Sequence, residues 1–159
     1  MKKSIQSNSI TETKRFAKEL AKTILKSPRR KGALVLALKG ELGSGKTTFI
    51  QGLARGIGIK ENVLSPTFLI VKSYKLQAIS YKLFYHIDCY RIKNPKELLQ
   101  LEWKDIAGNP NNIVAVEWAD KVKSILPKDV LWLSFSHTKD EPRKRIIVIG
   151  YGLRHEFSK

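Results

Sequence analysis

Apolar residues recur along the chain at two different spacings, and the points where the spacing changes divide it into elements. Phe16, Leu20, Ala21, Ile24 and Leu25 fall three and four apart, which lays one apolar stripe along a helix over residues 11–26. Ser9-Ile10-Thr11-Glu12 precedes that stripe with the spacing of a capping box, in which the Ser and Glu side chains satisfy free amides at a helix start. Pro28 and the basic loop Ser27–Gly32 end the helix. Ala33–Leu38 is then a short continuous apolar run, the pattern of a strand buried on both faces of a parallel sheet. After a glycine-rich stretch, Phe49, Ile50, Leu53, Ala54 and Ile57 predict a second helix closing around Gly56 and Gly58.

The second half is richer in strands. "SPTFLIVKSYKL" and "SYKLFYHIDCYRI" read as two strands of a hairpin that turns near Gln77–Ser80. "NPKELLQLEW" reads as one helical stretch, and "NNIVAVEW" as another buried strand set off by the turn signals of "GNPNN". "VLWLSFSH" and "RKRIIVIG" flank the polar stretch Thr138–Pro142 and predict an antiparallel hairpin. A strand–loop–helix unit followed by several strands predicts an α/β fold with a mixed sheet, flanking helices and antiparallel strand additions. No internal repeat, low-complexity segment or linker interrupts residues 1–159, so one domain is expected, with residues 153–159 as a loose tail.

Composition narrows the class. The longest apolar runs are strand-sized, far short of a bilayer span, and no apolar core of signal-peptide length follows the two N-terminal lysines. A lone Cys89 excludes an intrachain disulfide framework and a zinc quartet of the CxxC…CxxC kind. These features set cytoplasm as the expected location, with no membrane partner. Thirty Lys+Arg against fourteen Asp+Glu give a net charge of +16. A surplus of that size attracts polyanions such as nucleic acid or an acidic protein partner, but a solvated lysine coat is the preferred reading, since no aromatic-interleaved basic motif stands out.

The candidate chemistry lies in "GELGSGKTT", Gly40–Thr48, where Gly40–Thr47 fits G-x-x-x-x-G-K-[ST] in full. Glycines let the backbone curl so that consecutive N–H groups face phosphate oxygens, and the following helix adds its positive N-terminal dipole. Lys46 would reach the β- and γ-phosphates, and the Thr47 hydroxyl a magnesium ion. A chance match in a chain this long is roughly 1 in 200, and its place between an apolar strand and an amphipathic helix makes chance rarer still. The pattern predicts a phosphate-binding loop on a P-loop NTPase-like sheet.

Such a loop needs a carboxylate at a neighbouring strand end. Glu117 ends the apolar "IVAV", and Asp88 follows "LFYHI". One could hold the metal while the other positions water. Thr67, in the Pro66-constrained "SPTF", is a further candidate for the γ-phosphate or its metal. Trp118 beside Glu117 and His86 among apolar neighbours read first as packing residues, and His137 and His155 carry no pattern. A GTPase would require an N-K-x-D segment, which is absent. A small-molecule phosphotransferase would require an arginine-bearing lid, and Arg143 and Arg145 sit instead in the expected hairpin. A regulatory ATPase requires no further parts.

With the glycine loop, "SPTF", "HIDCYRI" and "VEW" placed in that order, the chain resembles the bacterial TsaE (YjeE) family, the ATPases of tRNA threonylcarbamoyladenosine biosynthesis. The resemblance covers nearly the whole chain, from the first helix to about Gly152, and includes Leu126-Pro127 before the last strands. It implies that Glu41, Leu42, Gly43, Ser44, Gly45, Lys46, Thr47 and Thr48 bind ATP and that Thr47 and Glu117 serve Mg²⁺. It further implies that Asp88 supports hydrolysis, that Thr67 lies in a switch-like loop and that Trp118 belongs to the active-site wall. The implied partners are TsaD-like and TsaB-like proteins. Weak, partner-stimulated ATP hydrolysis would reset or gate their complex, with tRNA reached indirectly and direct contact left open by the basic charge. Three departures stand out. Ser44 occupies the place of a small residue before the loop glycine, Ala119 that of a proline after the "EW" pair, and Glu102-Trp103 a segment that usually carries a glycine.

Overall fold

The computed structural model describes residues 2–141 and 143–151, so the expected tail at 153–159 lies outside the described residues. The chain opens with strand β1 (Lys2–Ser7) and helix α1 (Ile10–Lys26), then strand β2 (Leu34–Lys39) and helix α2 (Lys46–Gly56). Strands β3 (Val71–Lys75) and β4 (Leu83–Asp88) follow, then the short helices α3 (Pro95–Leu99) and α4 (Trp103–Gly108). Strand β5 (Asn112–Glu117), a 3₁₀ segment (Ala119–Ile125) and strands β6 (Leu131–His137) and β7 (Arg145–Tyr151) complete the described order.

The strands form one sheet in the order β1-β7-β6-β2-β5-β4-β3. Its centre is parallel, with β2 flanked by β5 and β6 and with β4 beyond β5. Both margins are antiparallel, β3 on β4 at one side and β7 then β1 at the other. This is the mixed α/β sheet that the sequence predicts, with both hairpins in place.

Alternation along β2 supplies both cores. Leu34, Leu36 and Leu38 face α1 and α2, where they meet Ala17, Ala21, Phe49, Ile50 and Leu53. Val35 and Ala37 face the opposite layer, with Leu98, Trp103, Val116, Val122 and Trp132. Burial on both faces is why β2 and β5 read as continuous apolar runs rather than alternating ones.

Local structure departs from the sequence reading at several points. Residues 2–7 carry no apolar run, yet they form a strand because β7 supplies a ladder of backbone hydrogen bonds to a mostly exposed, lysine-bearing edge. The helix expected over "NPKELLQLEW" breaks at Glu102, whose φ of 60° is the left-handed region glycine occupies freely. That turn points Trp103 into the core, where its Nε1 donates to the Ile125 carbonyl at 3.0 Å. Finally, pairing in the first hairpin begins only at Val71, because Ser65–Ile70 forms a loop closed by the Ile70 amide on the Pro66 carbonyl. At the start of α1, Ser9 Oγ accepts from the Glu12 amide as expected, whereas the Glu12 carboxylate accepts from Asn8 rather than from Ser9.

Helices α1 and α2 lie close enough to exclude side chains at two α2 positions. A Cβ at Gly52 would sit 2.5 Å from the Lys14 carbonyl oxygen, and one at Gly56 2.4 Å from the Ala21 methyl. Alanine favours a helix over glycine by about 1 kcal/mol, so only crowding makes Gly52→Ala unfavourable. Because the obstacle at Gly52 is backbone, the expected net loss is about 1–2 kcal/mol. It should appear as a lower urea midpoint at unchanged m-value. An unchanged or raised midpoint would show that the helices part at no cost.

Candidate functional site

The site begins where β2 runs out. Gly40, Gly43 and Gly45 take φ of 146°, 75° and 102°, which bends the chain into a loop that side-chain-bearing residues resist. At Gly40 a Cβ would lie 2.5 Å from the Phe135 carbonyl oxygen, so the loop also needs glycine for its fit against β6. Helix α2 then starts at Lys46 with Gly45 as a cap that offers no side-chain acceptor. Its first amides and positive dipole end are thereby directed to whatever occupies the loop.

Lys46 is buried, and its Nζ donates to the Gly40 and Glu41 carbonyls at 2.7 and 2.9 Å, with a longer contact of 3.4 Å to Ser44 Oγ. The ammonium also lies 4.2 Å from the centroid of the Trp118 ring, a cation–π distance. Burial pulls its pKa below the ordinary lysine range, while the negative charges of Glu117 and Asp88 pull it back up. Trp118 reaches this position through a left-handed turn, φ 56°, directly after β5.

The neighbouring strands deliver the carboxylates. In register, Asp88 at the end of β4 pairs with Glu117 at the end of β5. The Thr47 hydroxyl lies 3.1 and 3.0 Å from the two Glu117 carboxylate oxygens. On the other side of Glu117, fully buried His86 places Nε2 2.7 Å from Oε1, so hydroxyl, carboxylate and imidazole form one chain. Asp88 accepts from Thr67 Oγ1 at 3.0 Å and from the Ser65 hydroxyl on Oδ2, and from the Tyr90 amide on Oδ1 at 2.9 Å. Next to it, burial pushes the Cys89 thiol up to about 12, which keeps it protonated and unreactive.

Among the described residues, Ser44, Lys46, His86, Asp88 and Glu117 are five of the eight buried polar or charged side chains. Burying charges is costly without a compensating purpose, and their gathering around the glycine loop makes this the candidate site. All of them but His86 border a cleft of about 340 Å³. Leu42 through Thr48, Thr67, Asp88, Glu117 and Trp118 all line it, which brings together nearly every site residue singled out from the sequence. Glu41 is the exception. It stays off the cleft wall and contributes its carbonyl to Lys46.

Ser65, Tyr90 and Arg145 also line the cleft, and His86 supports it from below. Ser65 and His86 each stand two residues before a recognised site residue. For His86 on a strand, period-two spacing puts it on the same face as Asp88, a signal legible in the sequence. Arg145 has no local signal. Only the pairing of β6 with β7 brings it to this end of the sheet.

No group of three or more His, Cys, Asp or Glu that could hold a metal ion occurs among the described residues. What the cleft offers is a strand-end carboxylate beside a threonine hydroxyl. That suits magnesium, which keeps several waters and takes one or two carboxylates together with phosphate oxygens.

The family model described as "Threonylcarbamoyl adenosine biosynthesis protein TsaE" matches residues 7–147. A Haemophilus influenzae protein named tRNA threonylcarbamoyladenosine biosynthesis protein TsaE is 37% identical over 126 residues, covering 79% of this chain and 77% of the relative. A Bacillus subtilis protein of the same name is 38% identical over 122 residues, covering 77% and 73%. The crystal structure of Bacillus subtilis YdiB superposes with a TM-score of 0.70 at 29% identity, over 98% of this chain and 90% of that one. The matched span contains every residue that lines the cleft, and the chain belongs to the TsaE family of threonylcarbamoyl adenosine biosynthesis proteins.

Proposed function

We propose that this protein binds ATP with magnesium and hydrolyses it slowly on its own, in support of tRNA threonylcarbamoyladenosine formation by TsaD-like and TsaB-like partners. The observation that carries the reading is the Thr47–Glu117 contact beside buried Lys46, at the mouth of a glycine loop capped by a helix N-terminus. The loop amides and α2 dipole hold the phosphates. Lys46 faces them with its long Ser44 contact as the one a phosphate oxygen replaces. Thr47 and Glu117 would hold magnesium, which when bound neutralises charge on the β- and γ-phosphates. His86 fixes Glu117 from behind, and Asp88, on the same side, orients water while holding the loop through Ser65 and Thr67.

A small-molecule phosphotransferase is the rival reading. It requires arginines on a closing lid, whereas the arginine lining this cleft is mounted on a sheet strand paired on both sides. Partners rather than this chain reach the tRNA in the proposed scheme, with the charge of +16 favouring approach to it.

Two substitutions separate the carboxylate roles. Glu117→Gln is expected to weaken magnesium-dependent nucleotide binding, because the amide keeps the shape and loses the charge. Asp88→Asn is expected to keep Mg-ATP binding and lose turnover. Calorimetric titrations with and without magnesium, alongside phosphate release, check both. Loss of Mg-ATP binding in Asp88→Asn with normal binding in Glu117→Gln would show the roles reversed.

A further inference from the structure

Arg145 is the one arginine that lines the cleft among the described residues, and nothing so far gives it a task. It opens β7, where its backbone is fixed on both sides by pairing with Ser7 of β1 and His137 of β6. Its side chain lies across the phosphate loop. A Cβ built on Gly45 would meet Arg145 Cδ and Nε at 2.8 Å and Cζ at 3.8 Å. Its Nε is buried and has no hydrogen-bond partner among the described residues. Leaving a buried donor of this kind unsatisfied is costly, and a bound acceptor would relieve that cost.

Sheet order sets the flank from which Arg145 reaches over the loop. The loop follows β2. Glu117 and Asp88 come from β5 and β4 on one side of it, whereas Arg145 comes from β7, beyond β6, on the other. At about 4.8 Å between strands, the strand of Glu117 and that of Arg145 stand roughly 14 Å apart. A nucleotide whose terminal phosphates lie at Thr47 and Glu117 therefore extends its other end toward Arg145. A planar guanidinium suits that end, since it donates in a fork to phosphate and stacks on a base.

We propose that Arg145 is a nucleotide-binding residue whose guanidinium holds the nucleoside end of the bound nucleotide, from the flank of the phosphate loop opposite the carboxylates. This rests on the reading of the cleft as an ATP site. Arg145 contributes affinity rather than turnover, and does so independently of magnesium, because the metal-holding groups lie on the other flank. An arginine that instead stabilised charge on the transferred phosphoryl group would act on turnover and leave ground-state affinity nearly intact.

The test is titration of the full chain with ADP by calorimetry, in magnesium and in EDTA, for the wild type, Arg145→Ala and Arg145→Lys. Arg145→Ala should weaken ADP binding by about tenfold or more in both conditions, with turnover at saturating ATP within a few-fold of wild type. Arg145→Lys keeps the long stem over Gly45 and serves if the alanine variant unfolds. It should also lose affinity, since an ammonium has neither fork nor plane. Unchanged ADP affinity in a folded variant overturns the proposal, as does a loss confined to magnesium or a collapse of turnover at normal affinity. If the wild type itself fails to bind ADP, the ATP-site reading falls, and this inference with it. A wild type that binds beside an equally tight Arg145 variant removes only the role of Arg145.

Discussion

Replacing Lys46 by alanine should lower ATP affinity or turnover by at least about tenfold, about 1.4 kcal/mol or more, while leaving the fold in place. Lys46 is the buried cation of the glycine loop, held over it by two carbonyls and the face of Trp118. Its burial costs desolvation energy, and that cost is what pulls its pKa down. Removing the ammonium therefore takes away attraction for phosphate without taking away much stability. The hydrophobic packing of α2 runs through Phe49, Ile50 and Leu53 instead, one turn further along. Circular dichroism and the thermal midpoint of Lys46→Ala should stay close to wild type. Equal nucleotide titrations for the two proteins, at matched spectra, would remove the phosphate-loop assignment altogether.

The elements that the sequence declares plainly are those whose stability is hydrophobic. β2 and β5 are buried on both faces, and their apolar runs announce it. The glycine loop is legible because its residue types have no other efficient use in that order. The elements that escape are held by something hydropathy does not record. β1 is a polar edge held by backbone pairing. The break at Glu102 has no glycine to advertise it, although the chain takes the left-handed turn regardless. Phe68, Leu69 and Ile70 look like the start of a strand, yet Phe68 is 84% and Leu69 71% exposed, so the apolarity of those two does not serve this chain's own core, and only Ile70 packs against it. At the site, Lys46, Thr47, Asp88 and Glu117 were visible because strand ends and loop motifs are local. Arg145 lies 100 residues beyond Gly45, and only the β6–β7 register places it there.

Hydrolysis should be slow for the isolated protein and much faster with the TsaD–TsaB pair, and sustained tRNA modification should require it. The cleft has its cations at the loop and, through Arg145, on the flank away from the carboxylates. On the carboxylate side Ser65, Thr67, Asp88 and Glu117 present oxygens, and no arginine lines that wall among the described residues. In related NTPases the missing transition-state charge, supplied in trans, is worth about 10³–10⁵ in rate. The loop that carries Ser65 and Thr67 is the natural place for a partner to act. Its hydroxyls are bound to Asp88, and its exposed Phe68 and Leu69 stand ready for an apolar contact. A partner that packs on those side chains would shift the loop, and with it the Asp88 carboxylate that its hydroxyls hold. The check is a reconstitution with threonylcarbamoyl-adenylate supplied, following modified adenosine past one equivalent of TsaD and phosphate release in parallel. The first turnover is expected with or without this protein, and later ones only with it and not with Lys46→Ala. Sustained modification in its absence, or with the Lys46 variant, would rule out the reset role. Transfer of phosphate to a small acceptor in the same mixture would instead establish the phosphotransferase reading.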